Sequence, residues 1–178
     1  MGGRAGGGAG MGSRSGSALQ RNLSAHESAI RGNNYETLIV FDENGNMLVN
    51  KKGSAHSVEY GADGVKTTNA IVTHNHPGGA SFSWQDVGGM VYWNQKEMRA
   101  TGKEFTFSLK RPENGWGVTP KTAVTKFKRA LSNARRAYRQ QATGDAAKDR
   151  ALWISLTHKY NSNAARSLGW DYSVKKNK

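Results

Sequence analysis

The chain has 178 residues, 36% of them hydrophobic, and no cysteine, which fits one domain, or one domain with an appendage, and excludes disulfides, thiolate metal ligands and cysteine nucleophiles. No apolar run approaches the roughly 18 to 20 residues needed to span a bilayer, and neither an apolar signal core nor a myristoylation pattern opens the chain, so no membrane contact is expected. The net charge of +13 is uneven: residues 21–118 hold ten basic and ten acidic side chains, whereas residues 119–178 hold fourteen basic and three acidic ones.

Residues 1–17 carry eight glycines among serine, alanine and arginine. Such a stretch cannot bury apolar surface, and residues 1–20 are expected to form a disordered tail. A short amphipathic element follows near Leu23 to Ile30. Glu36 to Phe41 reads as a central strand, Asn44-Gly45 as a hairpin signal, and Met47 to Asn50 as the returning strand. Ser57 to Tyr60 is a weaker strand. Asn69 to Thr73 is a buried strand that delivers His74 at its end. After Pro77-Gly78-Gly79, helical spacing of Val87, Met90, Val91 and Met98 predicts a helix from Ser83 to about Thr101, with Gly102 as its stop. Glu104 to Leu109 alternates as a strand, and residues 111–117 form a turn. Two helices are predicted beyond it. One runs from Pro120 to about Ala142 on a stripe of Val124, Phe127, Leu131, Ala134 and Tyr138. The other runs from about Ala146 to Leu168 on Leu152, Leu156, Tyr160, Ala164 and Leu168. Their short link, Thr143-Gly144-Asp145, favours an antiparallel hairpin.

The chemistry concentrates at His74-Asn75-His76-Pro77-Gly78-Gly79 and Ser83-Trp84-Gln85-Asp86. Side chains alternate across a strand, so His74 and His76 point to one side and bring two imidazoles within reach of one ion. Asp86, on the helix after the turn, can supply a third ligand. Three protein ligands with an open position are the pattern of a hydrolytic zinc site. Ser83 and Asp86 are also a capping box in type, Ser83 at the N-cap and Asp86 at the third helical position. A capped helix start is compatible with mounting a ligand. His26, His56 and His158 read as surface or packing residues, with His56 nearest the motif.

Thr73-His74-Asn75-His76-Pro77-Gly78-Gly79 with Ser83 and Asp86 resembles the signature of the JAMM/JAB metallopeptidase superfamily. The wording His-Asn-His-Pro is closest to its RadC-like branch and to JAB-like domains attached to phage head proteins. Tyr35 to Asp42, the hairpin and Gly53 resemble the order in which a glutamate opens the strand before the motif strand. The resemblance covers roughly residues 33–117. It implies an α/β fold of the cytidine-deaminase-like type, a mixed β-sheet flanked by helices. It implies Zn2+ held by His74, His76 and Asp86, Glu36 as general base toward the bound water, and Ser83 as an oxyanion partner. Glu27, Glu43 and Glu59 are rival acids. One departure stands out: six residues separate His76 from Ser83, where the family commonly has seven.

The C-terminal third lies outside the resemblance. Lys121, Lys126, Lys128, Arg129, Arg135, Arg136 and Arg139 share one predicted helix with no acid before Asp145. An ordinary solvated helix mixes signs to gain i,i+4 pairs, so this one is expected to contact nucleic acid or another polyanion through phosphate-directed, salt-sensitive contacts. Trp153, Trp170 and Tyr172 read as packing residues that could also stack on bases. The expected organisation is a tail over 1–20, a JAMM/RadC-like metal-binding domain over 21–117, and a basic helical hairpin over 118–178. The expected function is zinc-dependent hydrolysis of a peptide or isopeptide bond, in a phage or mobile-element protein of the host cytoplasm or the virion. The alternatives are a non-catalytic nucleic-acid- or virion-associated module and a metal-dependent nuclease.

Overall fold

The computed structural model describes residues 17–178, so most of the expected Gly-rich tail lies outside the described residues. Its last part does not stay a tail. Ala18, Leu19 and Gln20 open helix α1 (Ala18–Ile30), started by the Ser17 side chain accepting the Gln20 amide. Leu23 and Ile30 on this helix pack with Ile39, Phe41 and Ile71 of the sheet.

Strands β1 (Thr37–Phe41), β2 (Met47–Lys52), β3 (Ile71–Asn75), β4 (Glu97–Thr101), β5 (Phe105–Lys110) and β6 (Asp171–Lys176) form one mixed sheet in the order β2-β1-β3-β4-β5-β6. Strands β3 and β4 pair in parallel through a crossover containing helix α2 (Trp84–Tyr92), and the other neighbours pair antiparallel. Every residue of β1 and β3 is buried, as a central position requires, while β2 at the edge is mostly exposed.

Helices α3 (Pro120–Gln141) and α4 (Ala146–Ser167) match their predicted spans closely and pack against each other and the sheet. Phe127, Ile154, Ala165 and Trp170 belong to the same core cluster as Leu38, Val72, Met98 and Leu109. The boundary expected at residue 118 therefore does not separate two cores, and the mixed α/β layer includes the C-terminal third.

Three element assignments are corrected. The helix expected over Ser83–Thr101 ends at Tyr92, and Glu97–Thr101 is strand β4 instead. The stop is a Schellman arrangement: Asn94 sits at φ +51°, its amide donates to Val91, and the Gln95 amide donates back to Met90. Gly102 lies in the β4–β5 turn, its amide donating to Phe105. Ser57–Tyr60 makes no strand, because Ser54 accepts the His56 and Ser57 amides in a local turn, and Gly61–Thr67 is a 3-10 helix. Strand β6 was not expected.

The buried stripe of α3 runs through Ala123, Phe127, Ala130, Ala134 and Ala137, with Val124, Leu131 and Tyr138 only half-buried at its margin. On α4 the buried positions include Thr157, Asn161 and Ser162, which an apolar pattern does not reveal. Two glycines inside α2 answer close approaches by different neighbours. A Cβ at Gly88 would stand 2.8 Å from the Val124 side chain, and one at Gly89 2.7 Å from the Tyr60 ring.

Candidate metal centre

His74 lies on β3 and His76 one residue beyond its end, with the His76 amide donating to Thr101 to extend the ladder. Both rings emerge on one side of the sheet, and their Nε2 atoms stand 2.9 Å apart. The intervening Asn75 points to the opposite face and is fully buried. Its Oδ1 accepts the Thr37 amide at 2.7 Å and its Nδ2 donates to the Tyr35 carbonyl at 2.8 Å. Asn75 thereby grips the backbone on both sides of Glu36 and continues the β1–β3 pairing past its last register pair, Leu38 with His74.

Asp86 reaches the same point. Its two carboxylate oxygens lie 3.3 Å from the Nε2 of His74 and 3.3 Å from the Nε2 of His76 respectively. The carboxylate is held by the expected capping box: the Ser83 amide donates to Asp86 Oδ2 at 2.7 Å, and the Asp86 amide donates to Ser83 Oγ at 3.1 Å. The six-residue gap has not turned the acid away.

Two imidazole nitrogens that close cannot face each other as bare lone pairs; a proton or a cation must lie between them. Without an ion the site takes the proton. Burial opposes a charged His76 ring, yet the Asp86 carboxylate and the Ala80 carbonyl raise its pKa to about 9. Burial opposes ionised Asp86 as well, yet the facing His74 and His76 rings hold its carboxyl well below the usual range. The donor set also fits a metal. Ligand atoms about 2.0–2.1 Å from a tetrahedral zinc ion stand roughly 3.3 Å apart, which is the spacing of both imidazole–carboxylate pairs. His76 Nδ1 lies 2.8 Å from the Ala80 carbonyl, and donation there leaves Nε2 free as a ligand atom.

A cavity of about 550 Å³ opens above the three side chains, and Glu36, Ser83, His56 and Tyr60 line it. Glu36 immediately precedes β1 and is 9% exposed. Desolvation lifts its carboxyl above the usual carboxylate range, against the pull of the two histidines. The sequence-predicted residues Glu36, His74, His76, Ser83 and Asp86 thus come together around one space. Of the rival acids, Glu27 is committed to Arg99 and Thr73, Glu43 to Lys96, and Glu59 lines the cavity rim. No family model matches this chain, and no curated protein or solved structure does so either.

The loop between His76 and Ser83 is anchored from the C-terminal third, which sequence reasoning missed. Thr157 Oγ1 accepts the Ser81 amide, Asn161 Nδ2 donates to the Phe82 carbonyl, and the Tyr172 hydroxyl bonds Ser81 Oγ. The available signal was the pair of polar residues four apart on α4, Thr157 and Asn161, which flank the predicted apolar stripe one residue beyond Leu156 and Tyr160. Trp170 is buried, its indole donating to the Trp116 carbonyl, and is unavailable for stacking on a base.

The seven basic residues of α3 are not part of the centre. Lys121, Lys128, Arg129, Arg135, Arg136 and Arg139 are exposed, while Lys126 is half-buried and donates to Ser167. Among the described residues, none of the seven pairs with a carboxylate. No helix among the described residues is long and apolar enough to cross a membrane.

Proposed function

We propose that this chain is a zinc-dependent hydrolase of JAMM/RadC-like type, acting on a peptide or isopeptide bond. The observation that carries the reading is the convergence of His74, His76 and Asp86, three ligand atoms mutually within 4.8 Å, beneath a cavity that also receives Glu36 and Ser83. When bound there, zinc supplies Lewis acidity and acidifies water to a pKa of about 7. Glu36, desolvated and poised above the ordinary carboxylate range, accepts a proton from the attacking water and returns it to the leaving amine. Ser83 Oγ accepts the Asp86 amide and keeps its own hydrogen, which it can donate to the oxyanion. Asn75 holds Glu36 in place from behind.

Elemental analysis of the purified chain tests the centre: about one zinc per chain is expected, lost in a His74→Ala His76→Ala variant. Absence of metal after zinc supplementation removes the enzyme reading. Glu36→Gln should retain zinc and lose about 10²- to 10⁴-fold in hydrolysis. If Glu36 instead proves essential for cleaving DNA, the substrate is a phosphodiester and the enzyme a nuclease.

A second reading rests on the seven cations of α3, none of which pairs with a carboxylate among the described residues. It makes the chain a non-catalytic polyanion-binding module that keeps the fold. Polyanion binding with a steep salt slope, together with no zinc and no hydrolysis, is its signature.

A further inference from the structure

We propose that the metal centre and the basic face of α3 serve one ligand, an acidic polypeptide segment that carries an apolar residue beside the metal and carboxylates beyond it. This rests on the hydrolase reading for the role of the centre, but the groove itself is argued independently.

The cavity over the centre continues into a second one of about 250 Å³, which shares Glu36, His56, His76 and Ser83 with the first. Its far wall is apolar: Phe82, Trp84, Ala130, Leu131, Ala134 and Trp153. Trp84 and Leu131 also line a third depression, whose other walls are Lys128, Ser132, Arg135 and Arg139. Three adjoining depressions with shared walls therefore run in order from the metal ligands, past an apolar pocket, to three cations.

At about 100° per residue, positions 128, 135 and 139 fall within roughly 40° of one another on the helix surface. Arg129 and Arg136 fall on a different side. Arg135 and Arg139 are an i,i+4 pair of like charge, which costs helix stability, and no carboxylate of the described residues relieves it. Guanidinium groups held in this way match carboxylates bidentately.

The apolar pocket decides the class of ligand. A single-stranded nucleic acid would need aromatic faces laid open for its bases. Here the Lys128 ammonium sits 4.2 Å over the Trp84 ring, and Trp153 is engaged edge-to-face with Tyr138 at 5.6 Å. The pocket suits a branched or aromatic side chain of a peptide instead.

The test is fluorescence anisotropy on the full chain with a labelled peptide carrying one leucine followed by a run of glutamates. The wild type should bind this peptide, and replacing its glutamates with glutamines should abolish binding. Arg135→Gln Arg139→Gln should weaken binding by roughly tenfold, whereas Arg129→Gln Arg136→Gln, equal in charge change, should leave it within about twofold. Replacing the peptide's leucine with serine should also weaken it. These positions are exposed, so unchanged circular dichroism is expected for both variants, with unfolding midpoints no lower than the wild type's and slightly higher where the Arg135–Arg139 repulsion is removed. Equal losses in the two double variants would overturn the proposal. So would undiminished binding of the glutamine peptide, or displacement of the peptide by a single-stranded oligonucleotide of equal charge at lower concentration. Binding is measured again in the His74→Ala His76→Ala variant. Charge-dependent binding that persists there upholds the groove even if zinc analysis sinks the hydrolase reading, and zinc uptake without peptide binding sinks the groove alone.

Discussion

Replacing Asn75 with alanine tests the claim that the middle residue of the motif supports Glu36. The substitution deletes two hydrogen bonds, of 2.7 Å to the Thr37 amide and 2.8 Å to the Tyr35 carbonyl, at a fully buried position. A typical intramolecular hydrogen bond contributes about 1 kcal/mol net, and a stranded buried group costs about 1–3 kcal/mol. The Thr37 amide is left without its acceptor inside the sheet, so a loss of about 2–4 kcal/mol is expected, a large share of an ordinary domain's stability. Urea unfolding measures it as a lower midpoint at unchanged slope. Asn75→Asp separates the two bonds, because a carboxylate can still accept from Thr37 but cannot donate to Tyr35. Because Asn75 points away from His74, His76 and Asp86, the proposed hydrolase should keep zinc in both variants while hydrolysis falls. A midpoint shift worth less than about 1 kcal/mol, or loss of zinc in step with activity, would refute this account.

Three further outcomes follow from other contacts. Thr157→Val removes the acceptor of the buried Ser81 amide and should cost about 1–3 kcal/mol in chemical denaturation while lowering zinc affinity, because the loop joining His76 to the helix that carries Asp86 loses its anchor. Asn94→Val forces a β-branched residue to φ +51° and should cost about 1–2 kcal/mol, whereas Asn94→Gly should be tolerated; equal effects would show that the helix stop does not depend on this conformation. His158, packed between Phe107 and Tyr172, has a pKa lowered by burial and by Arg166. The folded state then binds fewer protons than the unfolded one, so stability is level above a pH of about 6.5 and falls as pH drops through that value. His158→Gln should flatten that fall in a pH series of thermal unfolding, and an unchanged slope would assign it to another group.

The central strands, the hairpin, the two long helices and the His74, His76, Ser83 and Asp86 cluster were legible because each has a strong local cause, whereas Glu36 was singled out only by the resemblance to the JAMM/RadC-like order. Periodicity marks β1, β3, α3 and α4, an Asn-Gly pair marks the β1–β2 turn, and the serine-to-acid spacing marks the start of α2. What escaped was non-local or compressed. Helix α2 and strand β4 merge in an apolar pattern, because Met98 satisfies a helical repeat as readily as a buried strand, and asparagine rather than glycine makes the stop. Strand β6 is exposed along most of its length and owes its existence to pairing with β5, with Tyr172 opposite Leu109. Its charge pattern offers no periodic signal. The loop anchors on α4 were hidden for the opposite reason: Thr157 and Asn161 are buried polar residues whose partners lie some eighty positions earlier in the chain.

The short gap between His76 and Ser83 leaves one aspartate able to serve both as a helix cap and in the proposed ligand role. Gly79 turns the chain at φ +77°, the Gly79 amide bonds the His76 carbonyl, and α2 begins at Trp84 beside the end of β3. The Ser83 amide then draws Asp86 Oδ2 back over the helix start, so the bond that caps the helix is the one that aims the carboxylate at the imidazoles. Two substitutions divide these roles. Asp86→Asn can still accept from the Ser83 amide through its carbonyl oxygen, so stability should be largely retained, but its amide group turned toward a histidine cannot ligate, and zinc should be lost. Ser83→Ala removes the other half of the box, with an expected cost of about 0.5–2 kcal/mol, and leaves the carboxylate less firmly held, with zinc affinity down by roughly 10- to 100-fold. Isothermal titration with zinc alongside urea unfolding reads both quantities. If Ser83→Ala lowers stability but leaves zinc affinity untouched, the Ser83 hydroxyl does not help aim the carboxylate, and the Ser83 amide bond to Asp86 Oδ2, which this variant retains, is enough to hold it.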